Sequence, residues 1–279
     1  MAERFLLITG ATGQQGGATV RALLTSARRW RLRALVRDPE APRVQALASR
    51  GVEIVVGNLD DAASLRRAMD GAYGVFSVQT PAQGVEAEER QGKLVAAIAS
   101  ELEISHLVYS SVGGAERKSG VPHFESKWRI EQHIEHLGVP ATILRPAPFM
   151  DNFSTFAFRT IILSLMKTYV PAARPMQMVA VVDIGAFAAM AFNDPGAYVG
   201  RKIELAGDAL TRGETVRILR QAGRGPVIAF RFPGFMRGRL PQEYVKMFEW
   251  IAATGFEANI PALTNEHPGL LSLKNWSAV

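Results

Sequence analysis

Apolar positions in the first half of the chain fall into short blocks separated by stretches of helical period. Phe5–Thr9, Leu32–Val36, Glu53–Val56, Gly74–Val78, His106–Ser110 and Ala141–Leu144 read as strands. The segments between them, Gly17–Thr25, Arg43–Ser49, Ala62–Met69, Glu86–Glu101 and Phe124–Leu137, carry apolar residues at three- and four-residue spacing and read as helices. Asp61 stands where it can cap the third helix, and Gly138 followed by Pro140 stops the fifth. Repeated strand–helix units at this interval predict a parallel sheet covered on both faces, a Rossmann-type doubly wound α/β fold.

The pattern changes at Arg145-Pro146-Ala147-Pro148, where two prolines end regular pairing. An apolar, aromatic helix is expected over Asn152–Lys167, a strand over Met176–Val182, a helix over Ile184–Phe192 and a strand over Lys202–Ala206. Proline- and glycine-punctuated segments follow to the end. Residues 1–150 are therefore expected to form a dinucleotide-binding domain, to which a segment at about 176–192 returns. Residues 151–279 are expected to form a smaller substrate- or partner-binding region. The aromatic and methionine residues beyond Pro148, Phe149, Met150 and Phe153 first among them, are candidates to line an apolar cleft, against the plainer reading of each as core.

Composition removes several chemistries. The 279 residues include no cysteine, so disulfides, thiolate catalysis and cysteine-ligated metals are excluded. The five histidines show no metal-ligand spacing, and no metal is expected. The longest apolar helical run, Ile161–Met166, is too short to span a bilayer, and the chain enters a strand with no basic-then-apolar leader. A cytoplasmic protein without membrane contact, monomeric or homodimeric, is expected. The net charge of +6 favours anions. The arginines are spread over ordinary elements with no nucleic-acid motif beside them, so specific nucleic-acid binding is not expected.

The chemistry concentrates at the ends of the predicted strands. Gly10-Ala11-Thr12-Gly13-Gln14-Gln15-Gly16 lies directly behind the first strand and ahead of the first helix. In that context the glycines allow a sharp turn, close approach of backbone to a pyrophosphate, and close packing of helix on sheet. The helix N-terminus adds unpaired N–H groups and partial positive charge. Gly10, Thr12, Gly13, Gln14, Gln15 and Gly16 are thus candidate cofactor ligands; the competing reading is a glycine-rich turn without a ligand. Arg37 ends the second strand, where a guanidinium suits a ribose 2′-phosphate, so NADP(H) is expected over NAD(H). Asp38 beside it could instead serve NAD(H), and Arg37 could simply open the turn Arg37-Asp38-Pro39. Asn58 and Leu59, ending the third strand, are placed to meet an adenine. Gln79 and Thr80, ending the fourth, lie where pyrophosphate and nicotinamide ribose would pass.

His123-Phe124-Glu125-Ser126-Lys127 resembles the Tyr-x-x-x-Lys of short-chain dehydrogenases, with histidine in place of tyrosine. The spacing G-x-x-G-x-x-G resembles that of their extended or atypical branch. By that resemblance Lys127 binds the nicotinamide ribose, and His123, Ser111 or a water supplies a proton. A helix N-terminus and a nearby ammonium both favour neutral histidine, which makes His123 a weak acid. Tyr198-x-x-x-Lys202 also fits the pattern, but glycines and a proline surround it and a strand begins at Lys202, so the pair shares no helix face.

The ordered series of segments resembles the NmrA-like, or HSCARG-like, family of atypical short-chain dehydrogenase/reductases. It comprises Thr9 to Gly17, Val36-Arg37-Asp38-Pro39, Gly57 to Asp61, His123 to Lys127, Leu144-Arg145-Pro146 through Phe153, Val182 to Gly185, and His267-Pro268-Gly269-Leu270 with Trp276. Many relatives carry aspartate where this chain has Asn58. The resemblance implies NADP(H) binding and one of two roles. One is an NADPH-dependent reductase of a small apolar acceptor such as a quinone, dye or conjugated enone, held beside Phe149, Met150 and Phe153. The other is a redox sensor that binds dinucleotide and regulates a protein partner.

Overall fold

The structure is a computed structural model that describes residues 4–278; residues 1–3 and 279, at the outer ends of the two expected regions, lie outside the described residues. Strands and helices alternate as β1 (Phe5–Ile8), α1 (Gln14–Leu24), β2 (Arg31–Val36), α2 (Pro42–Ala48), β3 (Glu53–Val56), α3 (Ala62–Met69), β4 (Gly74–Ser77), α4 (Val85–Glu101), β5 (His106–Ser110), α5 (Pro122–His136) and β6 (Ala141–Pro146). There follow α6 (Phe156–Tyr169), β7 (Met176–Met178), α7 (Val181–Asn193), α8 (Pro195–Tyr198), β8 (Lys202–Leu205) and β9 (Asp208–Leu210). The chain ends with α9 (Arg212–Gln221), α10 (Gly234–Arg237), α11 (Gln242–Ala253), α12 (Ile260–Glu266) and α13 (Leu273–Ser277).

Seven strands form one sheet in the order β3-β2-β1-β4-β5-β6-β8. The pairs β1–β2, β2–β3, β1–β4, β4–β5 and β5–β6 are all parallel. This is the Rossmann order, reversing between β1 and β4. Every residue of β1, β4 and β5 is buried, as in a parallel sheet with helices on both faces. Asp61 caps α3 by accepting from the Ala63 amide at 3.0 Å, and Gly138 takes the left-handed conformation (φ +66°) that ends α5.

The chain forms two compact units that interleave in sequence. The first comprises Met1–Ser111, Ser126–Leu144 and Val182–Ile203; the second comprises Val112–Glu125, Arg145–Val181 and Glu204–Val279. In the first, α4 and α5 pack over one sheet face around Leu7, Val75, Val95, Leu107, Tyr109 and Ile130. On α7, a Cβ at Gly185 would lie 2.4 Å from the Ala18 backbone, so α7 crosses α1 at close range.

The second unit has an aromatic core. Phe124 meets Trp250 edge-on at 5.2 Å between centroids, and Trp250 meets Phe256 at the same distance. Elements here differ from their expected bounds. The strand expected over Met176–Val182 stops at Met178, where it pairs antiparallel with β9. Helix α7 begins at Val181, whose amide donates to the Asp151 carboxylate at 2.8 Å. The helix expected from Asn152 begins at Phe156, capped by Thr155, after a short 3-10 turn over Met150–Phe153.

Candidate functional site

The glycine loop follows β1 as expected. Gly10 turns the chain in the left-handed region (φ +59°), and its carbonyl accepts from the Gly13 amide at 2.9 Å. A Cβ at Gly16 would lie 2.3 Å from the Gly10 carbonyl oxygen and 2.7 Å from that of Thr9, so only glycine lets α1 start against the strand. Gly13 is the N-cap of α1. No side chain caps this terminus, and its first turn carries no acidic residue. Thr12, Gly13 and Gln14 are exposed. An uncapped helix N-terminus beside exposed glycine backbone suits a phosphate group. Gln15 is more constrained: its side-chain oxygen accepts from the Ser110 hydroxyl at 2.5 Å, tying α1 to the end of β5.

The neighbouring strand ends complete one edge of the first unit. Thr9 and Val78 clamp the ends of β1 and β4, the Val78 amide donating to the Thr9 hydroxyl at 2.9 Å. Arg37 is exposed directly after β2. Asn58 is exposed, and its side-chain oxygen accepts from the Asp60 amide at 2.8 Å, so the loop after β3 is braced by a local turn. The hydrogen bond from Arg90, then that from Gln91, holds the Asp60 carboxyl below its ordinary range. Leu59 is partly exposed, Gln79 buried and Thr80 exposed.

Lys127 stands at the same edge and is 8% exposed. Its ammonium lies 3.0 Å from Glu88 Oε1 and donates to the Gln79 carbonyl at 3.4 Å. Glu88 is wholly buried, and its other oxygen accepts from the Ser126 hydroxyl at 2.6 Å. Ser111 donates its hydroxyl proton to the buried carboxylate of Glu131. The Tyr109 ring lies 6.0 Å from the Lys127 ammonium. Burial, then the carboxylates of Glu88 and Glu131, hold its phenol well above the usual tyrosine range, so Tyr109 stays protonated and is not a substitute for the missing acid.

Sequence reasoning passed over Glu88, Ser126 and Glu131. The signal was present. Glu88 shares the buried face of α4 with Gln91, Gly92, Val95 and Ala99, and a carboxylate on such a face needs a partner.

His123, Phe149, Met150 and Phe153 belong to the second unit. His123 is in the first turn of α5, and its Nδ1 meets the Glu243 carboxylate. The Glu243 carboxylate is thus a neighbour of the imidazole that the sequence pattern does not reveal. Met150 and Phe153 are buried in the core of this unit, while Phe149 is partly exposed and bridges to Val179. Tyr198 ends α8 and Lys202 opens β8, so the second Tyr-x-x-x-Lys match has no common helix.

Comparison with known proteins gives the family and the fold. The sequence profile of the NmrA-like family matches residues 2–248. A reductase of (4-alkanoyl-5-oxo-2,5-dihydrofuran-3-yl)methyl phosphate from Streptomyces griseus is 31% identical over 222 residues, covering 78% of this chain and 74% of that one. The NAD(P)H azoreductase of Xenophilus azovorans is 29% identical, with 80% and 75% covered. Among solved structures, the triphenylmethane reductase of Citrobacter sp. in complex with NADP(H) superposes with a TM-score of 0.79 at 22% identity, covering 99% of this chain and 100% of that one. Among the described residues, no helix is long and apolar enough to cross a membrane.

Proposed function

This chain belongs to the NmrA-like family, and from that premise we propose that it is an NADPH-dependent reductase of a small, apolar, electron-poor acceptor such as a quinone, azo or triphenylmethane dye, or conjugated enone. The observation that carries the reading is the shared edge of the first unit, where an uncapped glycine loop follows β1, exposed Arg37 follows β2, and buried Lys127 of α5 is anchored to the Gln79 carbonyl after β4. A reductase and an azoreductase among the relatives support the reaction class, and the dye reductase among the solved structures supports the fold that carries it.

The residues fit the cofactor. The loop amides at Gln14 to Gly16 would bind pyrophosphate, on a turn that a Cβ at Gly16 would force apart by meeting the Gly10 carbonyl oxygen at 2.3 Å. Arg37 takes the 2′-phosphate by charge-assisted hydrogen bonds and so favours NADPH. Lys127 holds the nicotinamide ribose with the N–H not committed to Glu88 or Gln79. When bound, the cofactor supplies a hydride to the acceptor. Hydride addition turns a quinone, azo compound or enone into a delocalised anion and a cationic triphenylmethane dye into a neutral product, so either needs little help from an acid, which accommodates the absent tyrosine. The proton then comes from water, or from His123, whose Nδ1 meets the Glu243 carboxylate. Ser111, committed to Glu131, orients rather than donates. Of the three candidates for apolar acceptor surface, Phe149 is partly exposed, while Met150 and Phe153 are buried.

One observation favours a regulatory role instead: Phe156, Phe158, Ile161 and Phe235 are exposed on the second unit and offer apolar surface to a protein partner. The deciding experiment is NADPH oxidation against a panel of quinones, dyes and enones, with Gly13→Val as control. Turnover in the parent and none in the control supports the reductase. No oxidation above the protein-free rate for any acceptor overturns it.

A further inference from the structure

We propose that Glu88 is a positioning residue of the cofactor site: it fixes the Lys127 ammonium at the point from which the lysine reaches the nicotinamide ribose. The inference rests on the reading of Lys127 as the ribose anchor.

A lysine stem is long and flexible, and its ammonium is a point charge without preferred direction. Something must hold it if one N–H is to meet a ribose hydroxyl reproducibly. Glu88 does so with both carboxylate oxygens. Oε1 lies 3.0 Å from the Lys127 ammonium, and Oε2 accepts from Ser126 at 2.6 Å. Ser126 precedes Lys127 on α5, so one carboxylate grips two successive residues of that helix. Neither Glu88 nor Ser126 is exposed at all. A carboxylate kept this far from water is costly unless paired, and Lys127 is its counter-ion. The other acid nearby, Glu131, takes the Ser111 hydroxyl. Tyr109 is held neutral.

The backbone is arranged for this grip. Glu88 lies in the first turn of α4, whose positive end favours a carboxylate. One turn on, a Cβ at Gly92 would lie 2.4 Å from Ile130 Cδ1. The absence of a side chain there lets α4 and α5 approach closely enough for Glu88 to reach Lys127.

The test compares two ligands by equilibrium binding. NADPH contains the nicotinamide ribose; 2′,5′-ADP carries the adenosine half and 2′-phosphate but not that ribose. Glu88→Gln keeps the shape and removes the charge. It is expected to weaken NADPH about tenfold, the scale of one well-placed hydrogen bond to a charged group, and to leave 2′,5′-ADP within about twofold. The double variant Glu88→Gln/Lys127→Met, which has no unpaired buried charge, is expected to bind NADPH no more weakly than Lys127→Met alone. Unchanged NADPH affinity in Glu88→Gln, equal weakening of both ligands, or a loss that adds fully to that of Lys127→Met overturns the proposal while leaving the lysine's role intact. If Lys127→Met itself does not distinguish the two ligands, the ribose reading falls and this proposal with it. Should Glu88→Gln fail to fold, Ser126→Ala takes its place. A selective loss of about threefold for NADPH supports the proposal, and none overturns it.

Discussion

Both compact units bury charge, but in different company. In the sheet unit Glu88, Lys127 and Glu131 are each less than a tenth exposed, among aliphatic residues such as Val95 and Ile130. Glu88 there is held by two successive residues of α5, Ser126 and Lys127, away from water. In the second unit Arg117 meets Glu204, Glu116 and Glu257, donates to the Gly255 carbonyl at 3.0 Å and lies over the Trp250 ring. Its acids are exposed to very different degrees, from 14% for the Glu204 side chain to 69% for Glu257. A closed pair leaves a stranded charge when one member is lost. An open network with a wet side redistributes its contacts. The first arrangement suits a group that must stay in one place, the second a staple.

The largest test of this contrast is stability. Lys127→Met strands Glu88 and is expected to cost about 3–5 kcal/mol in urea unfolding. Arg117→Met is expected to cost about 1–2 kcal/mol, because water reaches the acids left behind. Equal costs would break the comparison.

Acid separates the units next. In the first, the His106 Nε2 pairs with the Thr142 hydroxyl at 2.8 Å, and that hydroxyl donates to the Tyr198 carbonyl, so Nε2 carries the proton. Burial pushes the His106 pKa down from 6.5 to about 4. Its contribution is whole above the unfolded value and is lost as pH falls towards the folded one, about 2–4 kcal/mol in all. Burial instead pushes Glu204 up from 4.5, against the pull of Arg117. Its contribution is present below the unfolded value and is lost as pH rises through the raised one. Acidification therefore loosens the sheet unit while Glu204 acts in the opposite sense. Hydrogen exchange resolved by segment should show this divergence. It should narrow in His106→Gln, and parallel loss in both units would count against it.

Exposed charges provide the lower end of the scale. Arg37→Ala should leave stability unchanged and narrow the preference for NADPH over NADH by about 1–3 kcal/mol in calorimetric titration. The smallest effect is expected at Arg66, bidentate to Glu101 at 2.8 and 2.9 Å on an open surface. Arg66→Ala should leave the thermal midpoint within measurement scatter.

The same contrast explains what was legible in the sequence. β1 to β6 and the helices between them lie within a few residues of their expected places, because period, caps and glycine stops are local signals. The strand over Met176–Val182 was misjudged because Asp151, thirty residues earlier, caps α7 at Val181. Helix α9 did carry a readable signal, the reciprocal cap between Thr211 and Glu214. The loop glycines, Arg37 and Lys127 stand out by position alone. Glu88 and Glu131 do not, since a glutamate on a helix is ordinarily solvent-facing, and only the packing of α4 against α5 shows otherwise.

The interleaving of the units bears on how the chain emerges from the ribosome. When residue 150 has been made, β1 to β6 exist, but α7 and β8 do not. Gly200, which donates to the Ala141 carbonyl at 2.7 Å, and Arg201, which accepts from the Ile143 amide, arrive only after the whole of Arg145–Val181. Until then one edge of β6 is unpaired and the face of α1 that receives Gly185 is bare. The nascent sheet thus carries an open edge through the synthesis of a segment that contributes nothing to closing it. Completion of the nucleotide-binding unit is a late, long-range event, and the interval before it is when this protein is most exposed to misassembly.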